Sequence, residues 1–214
     1  MMAIAKNGEP KSLTEHRSAS HSDYENYAAK DDLRSSLVGE QRGICCYCMG
    51  RIRANGKEMK VEHWQCQKNH PTLQLHYGNL LGACYGGEGR PEELQHCDTR
   101  KGDADIKWNP ADPTHVIEDR LAYLIDGTIE SSDPEFCKQL NEMLNLNLPW
   151  LKNNRKAVLN GLIDWLKREK ARLRRPVPKT RLERELAARL DGGDLAPYVG
   201  VAVWWLSVRL RKMS

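Results

Sequence analysis

An α+β fold is predicted by three features of the sequence, each in a different part of the chain. Residues 24–41 and the stretch from 133 onward repeat apolar side chains at helical spacing. Residues 45–103 lack that periodicity and are crowded with Cys, His, Gly and Asn. Between these regions, Asp126–Gly127 separates two short β-like stretches, as in a hairpin. We therefore predict three units: an N-terminal arm and helix (1–44), a small core (45–110) and a hairpin with a C-terminal helical region (111–214).

The helices can be placed from their apolar spacing and their terminal signals. Ser12 followed by Glu15 is typical of a capping box that opens a short helix. Gly43 ends the helix predicted over 24–41, in which Tyr27, Leu33 and Leu37 share one face. Four further helices are predicted, over 133–145, from Pro149 to Leu173, over 180–190 and, after Gly192–Gly193, over 195–212.

Composition places the chain among globular proteins. Of its 214 residues, 29% are charged and 40% are hydrophobic. No apolar run approaches the roughly 20 residues that a membrane span requires, and the first ten residues lack the apolar core of a signal peptide. We therefore expect a cytoplasmic protein with no membrane contact. In that compartment the seven cysteines indicate metal ligands or free thiols rather than disulfides.

Charge is unevenly distributed along the chain. Residues 151–214 hold 16 Lys/Arg and 6 Asp/Glu, whereas residues 1–150 hold 17 and 23. A basic region of this kind attracts polyanions, and such binding is sensitive to salt. A solvated helix face explains the same charge equally well.

The strongest local signal is the pair Cys45-x-x-Cys48. Two thiolates at this spacing can hold one tetrahedral zinc, and Cys84 and Cys97 are the natural third and fourth ligands. A closed shell of four sulfurs predicts a structural zinc ion. A redox pair is the alternative, but it normally precedes a helix in a βαβ setting that is not evident here. Cys46 or Cys66 can replace one of these cysteines, and His96 can replace the nearby Asp98 as a metal ligand or line the same site.

Three short motifs lie between and beyond these cysteines: VEHW at 61–64, YGNLLGAC at 77–84 and HCDTRKGD at 96–103. In this order the chain resembles the HNH endonucleases. More narrowly, it resembles the PtuB-type HNH subunits of Septu anti-phage defence systems, which also occur alongside retrons. The segments EPKSLTEHR and GVAVWWLSVRL extend that likeness over nearly the whole chain. The resemblance implies a ββα-metal core with structural zinc, between an N-terminal helix and a C-terminal helical region.

The resemblance also implies roles for five residues. His63 is the expected general base, consistent with the near-neutral pKa of imidazole, and Asn79 is expected to orient it through a hydrogen bond. Glu62 and Asp98 are expected to hold one Mg²⁺ or Mn²⁺, which hard carboxylate ligands suit. Lys101 is expected to add positive charge near the phosphate. Two residues depart from the usual family pattern. The family more commonly has Asp at the position of Glu62, and His or Asn at the position of Asp98.

Three functions therefore stay open from the sequence. The first is a DNA endonuclease that acts as a defence effector within a hetero-oligomer containing an ATPase subunit of the PtuA type. The second is a non-catalytic zinc module that binds nucleic acid or a protein partner. The third is a zinc-dependent hydrolase with an open metal position. The apolar faces of the C-terminal helices either pack against each other as core or offer a surface to a partner. One of Trp204 and Trp205 is expected to be buried and the other accessible.

Overall fold

The computed structural model describes residues 1–213 as a set of helices with two small antiparallel sheets, which confirms the expected mixture of helix and strand. The helices are α1 (Lys11–Arg17), α2 (Lys30–Glu40), α3 (Cys97–Lys101), α4 (Pro134–Lys138), α5 (Pro149–Leu173), α6 (Lys179–Leu190) and α7 (Val199–Arg211). The strands are β1 (Lys60–His63), β2 (Leu80–Ala83), β3 (Ala122–Tyr123) and β4 (Ile129–Glu130).

The N-terminal helices differ from the sequence prediction. The Ser12 side chain does not cap α1, whose N-cap is Pro10, because its hydroxyl is bonded to the Tyr27 hydroxyl at 2.9 Å. Helix α2 begins at Lys30 instead of residue 24. Segment 24–29 stays irregular because tertiary bonds hold it: the Tyr24 amide donates to the side chain of Gln74 at 3.1 Å.

Strands β1 and β2 form the sheet that will position the candidate site. They pair antiparallel, with Glu62 opposite Leu81 and His63 opposite Leu80. The Gln41 side chain fastens this sheet to the end of α2, since its amide donates to the Gly82 carbonyl at 2.8 Å and accepts from the Gly82 amide at 2.6 Å. Helix α3 follows β2 in the chain, after a loop of turns.

The second hairpin and the C-terminal helices lie close to the predicted positions. Strands β3 and β4 flank the Asp126–Gly127 turn, and α5 has the bounds that were predicted for it. The helix predicted over 133–145 is a short α4 followed by a π-helical turn at Gln139–Met143. Helix α7 begins at Val199 instead of 195, because residues 195 and 198 bond outward to the Arg42 and Met49 carbonyls.

Two clusters of buried apolar side chains hold the molecule together. The smaller joins α1, α2 and the loop before β2. The larger runs from the cysteine-rich turn through the second hairpin to α5, α6 and α7. Over residues 1–213, none of the helices has both the length and the apolar character needed to cross a bilayer.

Candidate metal centre and adjoining cleft

Four cysteine sulfurs converge beside the first sheet. The Sγ atoms of Cys45, Cys48, Cys84 and Cys97 all lie within 4.8 Å of one another. Cys45 and Cys97 are 3.9 Å apart, and Cys48 and Cys84 are 3.7 Å apart. Ligands about 2.3 Å from a tetrahedral zinc lie about 3.8 Å from each other. The four cysteines can therefore hold one zinc ion.

The local backbone explains how these sulfurs meet. Cys45 and Cys48 lie in a tight turn closed by the Cys45 amide and the Gly50 carbonyl at 2.8 Å. Cys84 directly follows β2, and Cys97 is the first residue of α3. Two backbone amides point at sulfur, from Gly50 to Cys48 and from Cys84 to Cys45, both at 3.3 Å. Such N–H donors stabilise thiolates, the form that binds metal.

The thiols of the cluster differ in how readily they ionise. Burial opposes the charge on Cys45, but hydrogen bonds from the neighbouring thiols outweigh it and hold the pKa of Cys45 well below its usual value. Burial raises the pKa of Cys97 well above its usual value. Negative charges packed this closely disfavour each other. A divalent cation removes that conflict, which is further support for the fit to zinc.

The other candidate ligands lie outside the cluster. Cys46 and Cys66 are buried but do not belong to the group of four sulfurs. His96 is a neighbour, with its Nε2 atom 3.7 Å from the sulfur of Cys84 and its ring edge-on to Trp150. Four sulfurs complete a tetrahedral shell, so this arrangement does not favour the open zinc site of the third hypothesis.

A polar cleft of about 320 Å³ adjoins the metal centre, where β1 ends and α3 begins. The side chains that the resemblance singled out meet here, except Asn79. The cleft is lined by Tyr24, Val61, Glu62, His63, Cys66, Gln67, Lys68, Asp98, Lys101, Gly102 and Asp103.

Glu62 lies at the base of this cleft and is 1% exposed. Its Oε1 atom accepts hydrogen bonds from the Tyr47 hydroxyl at 2.6 Å and from the Lys101 ammonium at 2.9 Å. Burial raises the pKa of Glu62 well above its usual value, and the nearby Asp98 carboxylate raises it further, against the opposing effect of Lys101. Two carboxylates therefore compete for positive charge at one end of the cleft.

His63 is oriented by a backbone carbonyl. Its Nε2 atom lies 3.0 Å from the Gln74 backbone oxygen, which only accepts, and 3.2 Å from the Gln67 side-chain amide. We assign the proton to Nε2, because exchanging the nitrogen and oxygen of the Gln67 amide lets both neighbours accept. The ring of Tyr24 packs edge-on against the imidazole, with centroids 4.6 Å apart. Burial lowers the pKa of His63 to about 4. The imidazole is therefore neutral at neutral pH, with Nδ1 unprotonated, and its pKa lies below the near-neutral value expected from the sequence.

The prediction of a hydrogen bond between Asn79 and the His63 imidazole is wrong. The Asn79 side chain accepts from the Gln65 amide at 2.8 Å and donates to the Gln65 and Leu73 carbonyls at 3.0 and 3.2 Å. These bonds close the loop that carries Gln74, the residue that bonds to His63. Asn79 therefore holds the loop that contacts the imidazole and does not bond to the ring itself.

Lys101 and Asp98 differ sharply in accessibility. Lys101 is 4% exposed, and its ammonium also donates to the His63 carbonyl at 3.0 Å. It also forms an ion pair with the Glu62 carboxylate at 2.9 Å. The Asp98 side chain is 20% exposed and lies 3.6 Å from the Lys60 ammonium, at the first turn of α3. Asp98 is the more accessible of the two cleft carboxylates expected to bind metal.

Three contributors to the cleft were missed by reasoning from the sequence. Tyr47 lies between Cys45 and Cys48, where nothing in the spacing marks it as a partner of Glu62. Gln74 acts through its backbone oxygen, which leaves no side-chain signal. Tyr24 comes from the N-terminal arm, far from the motifs in sequence.

Comparison with known proteins gives one partial likeness. The chain is 28% identical over 81 residues to the Septu protein PtuB of Bacillus thuringiensis. The match covers 38% of this chain and 28% of the length of that relative. No family model matches the chain. The likeness supports a relation to the Septu proteins over this part of the chain.

Proposed function

We propose that the protein is a metal-dependent HNH endonuclease that hydrolyses phosphodiester bonds of DNA as the effector subunit of a Septu-type anti-phage complex. The observation that carries this proposal is the cleft in which Glu62, His63 and Asp98 meet beside four cysteine sulfurs. The succession β1–β2–α3 supports assigning a ββα-metal core to residues 45–110. We place the partner-binding region in 111–214 and keep 1–44 as an N-terminal unit.

In this proposal His63 is the general base. The Gln74 carbonyl holds the proton on Nε2, so Nδ1 is the nitrogen that takes a proton from the attacking water. Edge-on contact with Tyr24 limits rotation of the ring. Asn79 keeps the loop closed so that the Gln74 oxygen stays in place. Each of these contacts orients a base that is neutral when the substrate arrives.

Asp98 and Glu62 are the residues that would hold Mg²⁺ or Mn²⁺. These residues fit such a cation, since both carboxylates line the same cleft and Asp98 is close enough to raise the pKa of Glu62. When bound, the cation would polarise the scissile phosphate and stabilise charge on the departing oxygen. Mg²⁺ keeps several waters and binds through one or two carboxylates plus phosphate, so two cleft carboxylates are enough ligands from the protein.

One observation favours the alternative of a non-catalytic zinc module. Glu62 is already bonded to Tyr47 and Lys101, both buried, so that its negative charge is neutralised within the protein. In a module that only binds nucleic acid or a protein, this ion pair would be a structural contact beneath the cleft. The two functions differ in what the removal of His63 does.

The Septu resemblance also supports an ATPase partner of the PtuA type in a hetero-oligomer. Trp205 is 5% exposed and Trp204 is half-buried, beside a cavity of about 190 Å³ lined by Tyr123 and Ile163. Ile125, at the rim of this cavity, is 73% exposed. Apolar and aromatic side chains of this kind suit a protein contact.

The test is cleavage of supercoiled plasmid by the protein together with its ATPase subunit, with and without Mg²⁺. We expect His63→Ala to lower the Mg²⁺-dependent rate about 10²-fold or more, the range for loss of a general base. A thermal melt equal to that of the wild type must accompany the loss. If the variant and the wild type act identically in every assay, the non-catalytic module is the correct function.

A further inference from the structure

Residues 167–179 form a strongly basic corner where α5 ends and α6 begins. The segment holds seven Lys/Arg and one Glu. All seven cationic side chains are exposed, namely Lys167, Arg168, Lys170, Arg172, Arg174, Arg175 and Lys179. We call this segment the basic corner. It accounts for much of the C-terminal charge that the cleft chemistry does not use.

The one acidic residue in the basic corner, Glu169, already forms ion pairs. Glu169 accepts from Arg172 and from Arg181 of α6, both at 2.9 Å, and its side chain is only 12% exposed. No acidic partner lies within ion-pair distance of Arg168, Lys170 or Arg175 among the described residues. Arg168, Lys170 and Arg175 therefore present their positive charge to solvent without an acidic partner, whereas Lys167 and Arg172 are paired with Asp164 and Glu169.

The corner is held in a fixed shape from below. Val177 is 5% exposed and anchors the link between the two helices, and Pro176 and Pro178 restrict its backbone. The Arg181 guanidinium lies over the ring of Trp165, 5.2 Å from its centroid, which joins α6 to α5. A cationic surface on such a support is presented to a ligand with little loss of backbone entropy on binding.

The chemistry of this surface selects among partners. Protein interfaces have an apolar core and are poor in Lys, whereas Val177 is buried here, Leu173 is half-buried, and no large apolar side chain of the segment is exposed. Interfacial membrane binding by a helix requires an apolar face, which is absent for the same reason. A ligand that carries closely spaced anions and needs no apolar contact fits the basic corner best. We infer that the basic corner binds the phosphate backbone of duplex nucleic acid.

The corner is separate from the cleft. Helix α5 starts beside the cysteine cluster, where Trp150 contacts His96, and its 25 residues extend for about 37 Å to the corner. The inference deepens the proposed function by assigning a second nucleic-acid contact. The test measures binding alone, so the inference can be tested even if the cleft has no nuclease activity.

The experiment measures binding of a labelled DNA duplex, and of an RNA duplex of the same length, over a series of salt concentrations. Full-length protein in a His63→Ala background is used so that no strand is cut. The test variant is R168Q/K170Q/R175Q. The matched control is K11Q/K57Q/K138Q, which removes equal charge from exposed lysines on other elements. Thermal melts check that both variants are folded.

We expect the test variant to bind about tenfold more weakly than its parent, and the slope of log K against log salt to fall by about three, one for each cation removed. The control should change affinity less than about twofold. Equal effects of the two variants, or none from either, would overturn the inference. So would competition by polyglutamate as effective as unlabelled duplex, or binding to phosphatidylserine vesicles that depends on the corner when duplex binding does not.

Discussion

At the scale of single residues, the contact between Lys101 and Glu62 controls the electrostatics of the cleft. Both side chains are 1% exposed, and their charged atoms are 2.9 Å apart. A buried pair of this kind is costly to break because the remaining charge has neither water nor a partner. Tyr47 supplies a hydrogen bond to Glu62 but no charge. The Lys101 ammonium therefore supplies positive charge to Glu62, and a divalent cation bound in the cleft can supply it as well.

Removal of Lys101 should expose this dependence. We expect Lys101→Met to lower the free energy of unfolding by about 3–5 kcal/mol without divalent cations, the usual range when one partner of a buried pair is lost. Mg²⁺ should restore part of it if Glu62 binds metal. Urea unfolding with and without Mg²⁺ measures both effects. The double variant Glu62→Gln/Lys101→Met is the control and should recover most of the loss; wild-type stability in Lys101→Met would refute the argument.

The residue scale also separates what a sequence can predict from what it cannot. Cys45 and Cys48 were predictable because their spacing suits one zinc ion, and Cys84 and Cys97 followed as candidates because a tetrahedral site needs two more ligands. The meeting of His63 with Glu62 and Asp98 was expected from the resemblance to the HNH endonucleases and not from the residues alone. The predicted hydrogen bond between Asn79 and His63 was wrong, because a side-chain amide can bond to any nearby backbone group. The carbonyl of Gln74 had no signature at all.

At the scale of elements, the second hairpin is tied to α5 through its turn. Gly127 has φ +87°, and a Cβ there would lie 2.0 Å from the Lys152 carbonyl oxygen of α5. The buried guanidinium of Arg155 donates to the Gly127 carbonyl at 2.6 Å and to the Leu146 carbonyl at 2.7 Å. Turn and helix are in contact through backbone, which leaves no room for a side chain.

Two glycines that differ in this respect provide a matched comparison. We expect Gly127→Ala to destabilise the protein by more than about 1 kcal/mol, since both the positive φ and the backbone contact oppose a Cβ. Gly161→Ala, in the interior of α5 with open space around it, should stabilise by about 0.5–1 kcal/mol. Chemical denaturation of the two variants measures both values. Equal shifts for the two, or a stable Gly127→Ala, would contradict the described turn.

Element boundaries were predictable where a local signal sets them. Pro149 opens α5 as its position in the sequence indicates, and the Asp126–Gly127 turn lies where expected. The errors fall where tertiary bonds override local preference. Segment 24–29 is bonded to the loop before β2, and residues 195–198 bond to the cysteine-rich region. Periodicity alone carries no information about such distant partners.

At the scale of the whole molecule, the metal centre is part of the main core. The buried cluster that contains Cys45, Cys48 and Cys97 continues through the second hairpin to Val201 and Leu206 of α7. Tyr198, at the start of α7, donates its amide to the Met49 carbonyl in the turn between the cysteines and the sheet. Loss of zinc is therefore expected to affect the C-terminal helices as well as the cysteine-rich segment.

Substitution of one ligand tests this coupling. We expect Cys48→Ser to unfold the protein at ordinary temperature, because a structural zinc contributes on the order of 10 kcal/mol. Tryptophan fluorescence and helical circular dichroism should change together with zinc release. His63→Ala, in the cleft but not in the sulfur cluster, is the comparison and should melt like the wild type. Matching melts for Cys48→Ser and His63→Ala would show that the cluster is not a structural metal centre.

The proposed cleft is tested most directly by Mn²⁺ binding to zinc-loaded protein, followed by electron paramagnetic resonance. We expect one Mn²⁺ per chain, with affinity lowered at least about tenfold in Asp98→Asn and zinc content unchanged, because one lost ligand costs about 1.4 kcal/mol or more. Asp103→Asn is the control, since Asp103 lines the same cleft but pairs with Lys68 in solvent. Equal Mn²⁺ binding by wild type and Asp98→Asn would contradict the proposed site.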